Sequence, residues 1–127
     1  MKNQDLNGTV KLDGLTYHID CGLMPDMPLD KHWIAGKKYV AIESQAHTNI
    51  LLFSPELEHA SIAHNFVRAE GGVIVAAGSI GYDIDGIWAD GNSVSLGVGG
   101  RDIDSQVLQA FADQVRERVL EQPTPNR

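Results

Sequence analysis

Residues 49–80 constrain the fold more than any other stretch, because they predict a strand, a helix and a second strand in direct succession. Residues 50–53 are an apolar run of strand length, and residues 73–77 are another. Between them, Ser54 is typical of a helix N-cap, and the proline that follows suits the first helical turn. The sequence therefore predicts a helix over residues 55–68, which two successive glycines end.

The predicted helix has one apolar face, and a histidine lies within that face. Successive residues of a helix are rotated by about 100°, so positions three or four apart share a face. His59 falls in the apolar arc near the helix N-terminus, whereas Glu58 and Asn65 fall on the opposite, solvent-facing side. The apolar members of the arc are Ala60, Ile62, Ala63, Phe66 and Val67. An inward-facing histidine at this place makes His59 the first candidate functional residue.

Turn residues and period-two alternation of side chains predict further strands on both sides of this unit. Asp13-Gly14 is typical of a two-residue hairpin turn, because both positions of such a turn need positive φ angles. In residues 37–44, Tyr39 and Ala41 alternate with Val40 and Ile42, and we expect this strand in the same sheet as residues 50–53. Residues 93–98 predict a returning strand that glycines interrupt.

The C-terminal part predicts a second helix, and two other segments predict irregular structure. Asp104 or Ser105 would cap the helix, which would run to about Glu121. Its apolar stripe consists of Val107, Leu108, Phe111, Ala112, Val115 and Val119. Residues 21–32 contain two prolines and predict a loop, whereas residues 78–92 are rich in glycine and aspartate and predict a long irregular hairpin.

Together these elements predict an α/β fold of the α+β kind in one domain. The chain of 127 residues is long enough for a sizeable core. We expect a single globular domain over residues 1–121, with a mixed sheet of roughly six strands and two main helices. Trp33 and Ile34 should anchor the preceding loop to the core, and residues 122–127 predict a loose tail.

The charge balance argues against nucleic-acid binding. The formal net charge is -7 and the isoelectric point is about 5.0, whereas a nucleic-acid-binding domain normally carries a basic face. Any site for an anionic ligand would have to be locally positive within a protein whose net charge is negative.

Cysteine content and hydropathy predict the compartment. The single cysteine, Cys21, excludes an intramolecular disulfide, so a reducing compartment is favoured and Cys21 is expected to be a packing residue. The first residues hold no apolar signal-peptide core, and no apolar run approaches the ~20 residues of a membrane span. The sequence predicts a soluble, cytoplasmic protein that does not associate with membranes.

The sequence leaves two interpretations of His59 open. It is either a core histidine whose nitrogens are satisfied by backbone groups, or a neutral imidazole that acts as nucleophile or general base. A zinc site is not favoured, because His59 and His64 are five positions apart and do not share a helical face.

A second candidate is the glycine-rich segment 97–101, which lies between a predicted strand and the last helix. Successive glycines let backbone amides converge on an anion, and a helix N-terminus adds its dipole. A flexible turn with Arg101 in solvent is an equal interpretation, since Asp102 and Asp104 oppose anion binding. The segment matches neither a Walker loop nor a dinucleotide-binding motif, so no nucleotide cofactor is predicted.

Three carboxylates, Asp83, Asp85 and Asp90, form a third candidate. The segment Asp-Ile-Asp-Gly resembles the opening of a calcium loop, but the later ligand positions and the closing glutamate are absent. Turn formation explains these residues, so we expect neither a metal site nor a cofactor.

Several segments, taken in order, resemble the phosphohistidine phosphatase (Janus) family. They are Lys38-Tyr39-Val40, the His-Ala-Ser-Ile segment that begins at His59, Gly78-Ser79-Ile80 and residues 94–100. The resemblance covers roughly residues 36–115 and implies the fold of that family.

The resemblance also implies roles for individual residues. His59 would match the catalytic histidine, and Lys38 the lysine that helps to hold phosphate. The backbone around Ala60 and the loop Gly99, Gly100 and Arg101 would form the phosphate cradle. Two features depart from the family. Leu51 stands where the family has an arginine, and Gly-Gly-Arg replaces the Ser-Met-Ala of the cradle loop.

The sequence thus predicts a metal-free phosphatase or phosphoryl-binding protein of the phosphohistidine type, acting on a phosphorylated protein or a small phosphorylated ligand. The alternative is a non-catalytic binding or assembly domain on the same scaffold, whose apolar strands could support a homodimer. Leu51 and the charge of -7 favour the alternative.

Overall fold

The structure is a computed structural model, and it describes residues 7–24 and 33–121. Its elements are β1 (Gly8–Leu12), β2 (Leu15–Leu23), β3 (Lys38–Glu43), β4 (Thr48–Phe53), α1 (His59–Glu70), β5 (Val73–Asp83), β6 (Gly86–Asp90), β7 (Asn92–Ser93), β8 (Val98–Gly99) and α2 (Asp102–Glu121). The predicted α+β domain with a mixed sheet and two main helices is confirmed.

Within the described residues, the main sheet has six strands in the order β1-β2-β4-β3-β5-β6. The pair β2–β4 is parallel and the other neighbouring pairs are antiparallel. Strand β3 pairs with β4 as predicted, and Lys38 lies opposite Phe53. The short strands β7 and β8 form a separate two-stranded ribbon.

The predicted turn at Asp13-Gly14 is confirmed. Asp13 has a φ of 52° and Gly14 a φ of 78°, and Leu12 pairs with Leu15 across the turn. Two central residues with positive φ match the right-handed twist of the flanking strands, which explains the choice of Asp-Gly at this place.

Each face of the sheet carries one helix and one apolar cluster. Helix α1 covers β3 and β5, where Ala63 is buried and Phe66 and Val67 pack beside it. Helix α2 fills the other face through its predicted stripe, of which Val107, Leu108, Phe111, Ala112 and Val115 are buried. Cys21 is fully buried in the α2-side cluster, as expected of a packing residue, and Trp33 and Ile34 are buried there too.

Helix α2 also hydrogen-bonds to both outer strands of the sheet. The sheet curls so that β1 and β6 both contact this one helix. Three of its polar side chains hydrogen-bond to backbone groups of these strands, as a neighbouring strand would. Ser105 and Gln109 accept from the amides of Ala89 and Ile87 at 2.8 and 2.7 Å, and Gln114 donates to the Thr9 carbonyl at 3.2 Å.

The predicted start of the first helix is wrong. Helix α1 begins at His59 rather than residue 55, and its N-cap is Glu58 rather than Ser54. The Ser54 carbonyl accepts from the Leu57 amide at 3.0 Å, so the Ser-Pro pair forms an isolated turn. Glu58 then has extended backbone angles (φ -92°, ψ 134°), which separate that turn from the helix.

The glycine- and aspartate-rich segment forms a regular hairpin instead of the predicted irregular one. Strand β5 continues to Asp83, and β6 pairs with it from Gly86 to Asp90. The predicted strand over residues 93–98 is also wrong, because a turn over residues 94–97 separates β7 from β8.

Two other boundaries differ from the prediction. Helix α2 begins at Asp102, so Asp104 lies in its first turn rather than at its cap. Strand β2 extends through Cys21 to Leu23, whereas the predicted loop begins at Cys21. The remainder of that loop, residues 25–32, and the predicted tail, residues 122–127, lie outside the described residues.

Candidate functional site

His59 is the first residue of α1, and its side chain is half-buried against the sheet. Its ring lies edge-on to Phe53, with the two ring centroids 5.6 Å apart. Nε2 of His59 donates to the carbonyl oxygen of Gly78 at 2.9 Å. A carbonyl oxygen can only accept, so Nε2 carries the hydrogen, and in the neutral ring the lone pair is on Nδ1.

The first backbone amides of α1 have no capping side chain among the described residues. The first hydrogen bond of the helix is donated by the Ile62 amide to the Glu58 carbonyl at 3.2 Å. Within the described residues Glu58 makes no side-chain capping bond, and the first turn holds no acidic residue. The amides of His59, Ala60 and Ser61 therefore stand at the positive end of the helix dipole without a capping side chain.

Lys38 lies on the same face and at the same end of the sheet as His59. It is two residues from Val40, which belongs to the α1-side cluster, and it pairs with Phe53 on one side and Ser79 on the other. Its Nζ donates to the Leu57 carbonyl at 3.0 Å, just before α1. The structure thus brings the ammonium group of Lys38 close to the helix start that carries His59.

Gly99 ends β8, and Gly100 lies between β8 and α2 and packs closely against β3 and β6. The Gly100 amide donates to the Gly91 carbonyl at 2.9 Å. A Cβ at Gly100 would lie 3.2 Å from the Asp90 nitrogen and 3.2 Å from the Tyr39 hydroxyl. The absence of a Cβ at Gly100 thus permits close packing of this loop. Anion binding by the amides of the loop stays a prediction.

Arg101 binds Asp104 on the α2 side of the sheet. Its Nη2 lies 2.7 Å from Oδ1 of Asp104, whose side chain is fully buried, and its Nε lies 3.2 Å from both carboxylate oxygens. Burial lowers the pKa of Arg101, but the hydrogen bond and the charge of Asp104 outweigh that effect and leave the pKa above its usual value. The guanidinium group is thus held by a carboxylate, and its role in phosphate binding stays a prediction.

Leu51, at the position of the family arginine, is 4% exposed in the apolar cluster beneath α1. It pairs with Val40, two residues along β3 from Lys38. On its other side Leu51 pairs with Asp20 of β2, and it lines a hollow together with Asn49 and Phe66.

The described residues contain no group of three or more His, Cys, Asp or Glu side chains that could hold a metal ion. The Asp-Ile-Asp-Gly segment forms the β5–β6 turn, where Oδ1 of Asp83 accepts from the Asp85 amide at 2.8 Å. No helix in the described part of the chain is long and apolar enough to span a lipid bilayer.

Sequence reasoning missed the partners of the candidate residues. The Gly78 carbonyl fixes the ring of His59, but a backbone acceptor leaves no signal in the sequence. Tyr39 and Asp104 form a buried hydrogen bond that joins β3 to α2. Asp104 was recognisable only as a helix-capping residue, because its contact with Tyr39 is long-range.

Comparisons with known proteins add no relative. Neither a protein-family model nor a curated protein nor a solved structure matches the chain. The resemblance to the phosphohistidine phosphatase family therefore stays a prediction.

Proposed function

We propose that the protein is a phosphatase or phosphoryl-binding protein of the phosphohistidine type, with His59 as its reactive group. One observation carries the proposal. The hydrogen bond from Nε2 to the Gly78 carbonyl at 2.9 Å leaves Nδ1 as the nitrogen with a lone pair. A ring held in one tautomer and one orientation is what nucleophilic catalysis by histidine requires.

The surrounding groups supply the positive charge that a phosphoryl group needs. Nδ1 of His59 would attack phosphorus, the bond from phosphorus to the leaving group would break, and water would later hydrolyse the phosphorylated His59. Lys38 and the amides at the start of α1, including that of Ala60, would hold the phosphoryl oxygens. Because these groups provide the electrostatic stabilisation, the proposed site uses no metal ion.

The expected ligand is a phosphorylated protein or a small phosphorylated molecule. An anion would have to bind against the net charge of -7, which makes the local charge of Lys38 important. We also propose a cytoplasmic location, since a single cysteine, Cys21, cannot form an intramolecular disulfide.

The alternative function is a non-catalytic binding or homodimeric assembly domain. The pairing of Arg101 with Asp104 favours it, because that cation is already neutralised. The burial of Leu51 favours it too, since the position of the family arginine carries no charge.

An assay of the hydrolysis of a phosphohistidine-containing peptide distinguishes the two functions. His59→Ala should abolish release of inorganic phosphate, whereas Lys38→Ala should mainly weaken binding of the anion. His64→Ala is the matched control, because His64 is exposed on the same helix and should leave activity unchanged. Circular dichroism should show that all three variants keep the fold.

Binding of inorganic phosphate gives a second readout. We expect millimolar phosphate to shift the amide resonances of residues 59–61 in NMR spectra of the wild type, and less so in Lys38→Ala. If the wild type neither hydrolyses the peptide nor binds phosphate at that concentration, the phosphatase proposal fails and the binding-domain alternative stands.

A further inference from the structure

The α1-side face of the sheet has a second half, formed by β1, β2 and β4, that lies beside α1 rather than beneath it. Helix α1 packs against β3 and β5. Ile19 of β2 belongs to the α2-side cluster, so the alternating side chains of His18 and Asp20 are on the α1 side. Leu51 of β4 belongs to the α1-side cluster, and Asn49, two residues earlier, is on the same side. This half of the face is therefore mainly polar.

A hollow with a volume of about 290 Å³ lies in this half of the face. Polar side chains from three neighbouring strands line it, because Thr9 of β1 pairs with His18 of β2, which pairs with Asn49 of β4. Neighbouring strands are about 4.8 Å apart, so this row spans about 10 Å. The volume is close to the lower limit of roughly 300 Å³ for small-molecule sites, which fits a ligand with a single ring.

Two of the lining side chains are held in place by the chain itself. Oδ1 of Asp20 accepts from the Gly22 amide at 2.7 Å, at the point where β2 leaves its register with β4. Irregularities of this kind orient side chains at many functional sites. Nδ1 of His18 and Oγ1 of Thr9 share a hydrogen bond of 3.2 Å, and the ring of His18 lies edge-on to that of His47 with centroids 4.5 Å apart. A ligand therefore meets groups whose orientation is already set.

Other polar atoms of the hollow have no partner in the described part of the chain. The side chain of Asn49 is half-buried and makes no hydrogen bond there, and Oδ2 of Asp20 makes none either. A carboxamide has two N–H donors and one acceptor oxygen, and a carboxylate only accepts. These groups are left for water or a ligand.

This mixture of donors and acceptors matches hydroxyl groups. A hydroxyl donates to a carboxylate and accepts from an amide N–H at the same time, whereas an ammonium group only donates and a phosphoryl oxygen only accepts. The lining residues include one carboxylate and neither lysine nor arginine, which disfavours an anion. Leu51 and Phe66 form an apolar border against which a carbon ring can pack.

We propose that this hollow binds a neutral polyhydroxylated molecule with the size of one sugar ring. Oδ2 of Asp20 accepts from a ligand hydroxyl, the carboxamide of Asn49 bonds to neighbouring hydroxyls, and the carbon ring packs against Leu51 and Phe66. The hollow is separate from the His59 site, because His59 does not line it. The inference therefore does not depend on the proposed function.

Amide NMR spectra of the nitrogen-15-labelled wild type test the inference. D-Glucose, D-galactose, D-mannose and myo-inositol are added separately, each up to tens of millimolar. We expect at least one of them to shift the resonances of residues 18–20 and 49 in a saturable way, and to leave those of residues 59–61 unchanged. The methyl glycosides of the three sugars distinguish a free sugar from the terminal residue of a glycan, since only the latter has a substituted anomeric oxygen.

Three variants locate the binding. Asp20→Asn keeps the acceptor for the Gly22 amide, so the fold should survive. A hydrogen bond to a charged group contributes a factor of about 10 to 100, so the affinity should fall at least about tenfold. Asn49→Ala should lower it by about threefold to tenfold. Asp85→Asn is the matched control and should leave it unchanged, because Asp85 is an exposed carboxylate in the β5–β6 turn, outside the hollow.

Methylammonium and inorganic phosphate, at the same concentrations, should not shift the resonances of residues 18–20 and 49. The inference is overturned if none of the four polyhydroxylated probes gives saturable shifts, if methylammonium or phosphate gives larger ones, or if Asp20→Asn binds as tightly as the wild type. The hydrolysis assay depends on His59 and this titration on the hollow, so failure of one proposal leaves the other standing.

Discussion

The hydroxyl of Tyr39 donates to Oδ2 of Asp104 at 2.7 Å and joins two residues that are 65 positions apart. The same carboxylate accepts from Arg101, so both of its oxygens are satisfied in the core. A buried carboxylate is tolerated only when it is paired and hydrogen-bonded. This arrangement fixes the start of α2 against β3, one residue from Lys38.

The Tyr39–Asp104 bond predicts instability at alkaline pH. Burial, followed by the negative charge of Asp104, raises the pKa of Tyr39 far above its ordinary value of 10.0. The folded protein keeps the phenol proton where the unfolded chain loses it, so this stabilisation is complete below pH 10 and declines above it. The free energy of unfolding should fall by up to about 1.4 kcal/mol per pH unit in that range.

Urea denaturation of the wild type and Tyr39→Phe between pH 8 and 11 measures this effect. The variant should be less stable at pH 8 by about 1–3 kcal/mol, because Asp104 loses a donor, but its stability should decline less steeply above pH 10. Burial also raises the pKa of Tyr17, so part of the slope should remain. Equal slopes in the two proteins would contradict the assignment.

Gly78 should control the tautomer of His59. A Cβ at Gly78 would lie 2.4 Å from the Asp90 carbonyl oxygen and 3.2 Å from the Tyr39 ring. Gly78→Ala must therefore displace β5 or β6, at about 1–3 kcal/mol of stability, and move the carbonyl that binds Nε2. Nitrogen-15 NMR of the His59 ring should show the Nε2–H tautomer in the wild type and a mixture in the variant.

Gly97→Ala is the control for that experiment. Gly97 has a φ of 71°, so alanine is strained there, but nothing lies within 4 Å of the added Cβ. The variant should lose stability and keep the histidine spectrum of the wild type. A changed spectrum in this control would show that the tautomer responds to stability alone.

The side chains of α2 should protect the β6 edge from self-association. In Ser105→Ala combined with Gln109→Leu, the amides of Ala89 and Ile87 lose their acceptors. Two unsatisfied amides reduce stability by about 1–3 kcal/mol each and offer an open edge to a second chain. Analytical ultracentrifugation should show concentration-dependent association, whereas Gln106→Leu, at an exposed position of the same helix, should stay at the assembly state of the wild type.

Removal of metal ions should not change the stability of the protein. The rings of His18 and His47 lie 4.5 Å apart, but no third ligand joins them among the described residues. We expect the same Tm with and without EDTA, measured by differential scanning calorimetry. A drop in Tm on chelation that zinc or calcium reverses would contradict this expectation.

Features encoded by adjacent residues were predictable from the sequence. The Asp13-Gly14 turn needs only two residues of suitable φ, and the stripe of α2 repeats every three or four positions. Such signals are local, and tertiary contacts reinforce them.

Features that depend on distant contacts were not predictable. Ser54 and Pro55 are typical of a helix start, but the chain makes a turn there and the helix begins only at His59. The glycines of β5 suggested irregular structure. In the fold, Gly78 gives room to the Asp90 carbonyl and Gly81 to the Trp88 ring, which lets the hairpin stay regular.

The candidate site shows the same division. His59 was identified from the apolar face of the predicted helix and Lys38 through the resemblance, and the antiparallel pairing of β3 and β4 brings them to one end of the sheet. Arg101 and Asp104 are only three positions apart in the sequence. The buried carboxylate of Asp104 also accepts from Tyr39 of β3, and that contact is long-range.

The position of α2 in the chain has a consequence for biosynthesis. Every strand of the curled sheet precedes this helix in sequence, and the helix supplies hydrogen bonds to both outer strands. During translation the ribosome therefore releases β1 and β6 before the segment that shields them. The nascent polypeptide passes through an interval in which its apolar surface is uncovered, and a chaperone that recognises exposed apolar segments should bind it during that interval.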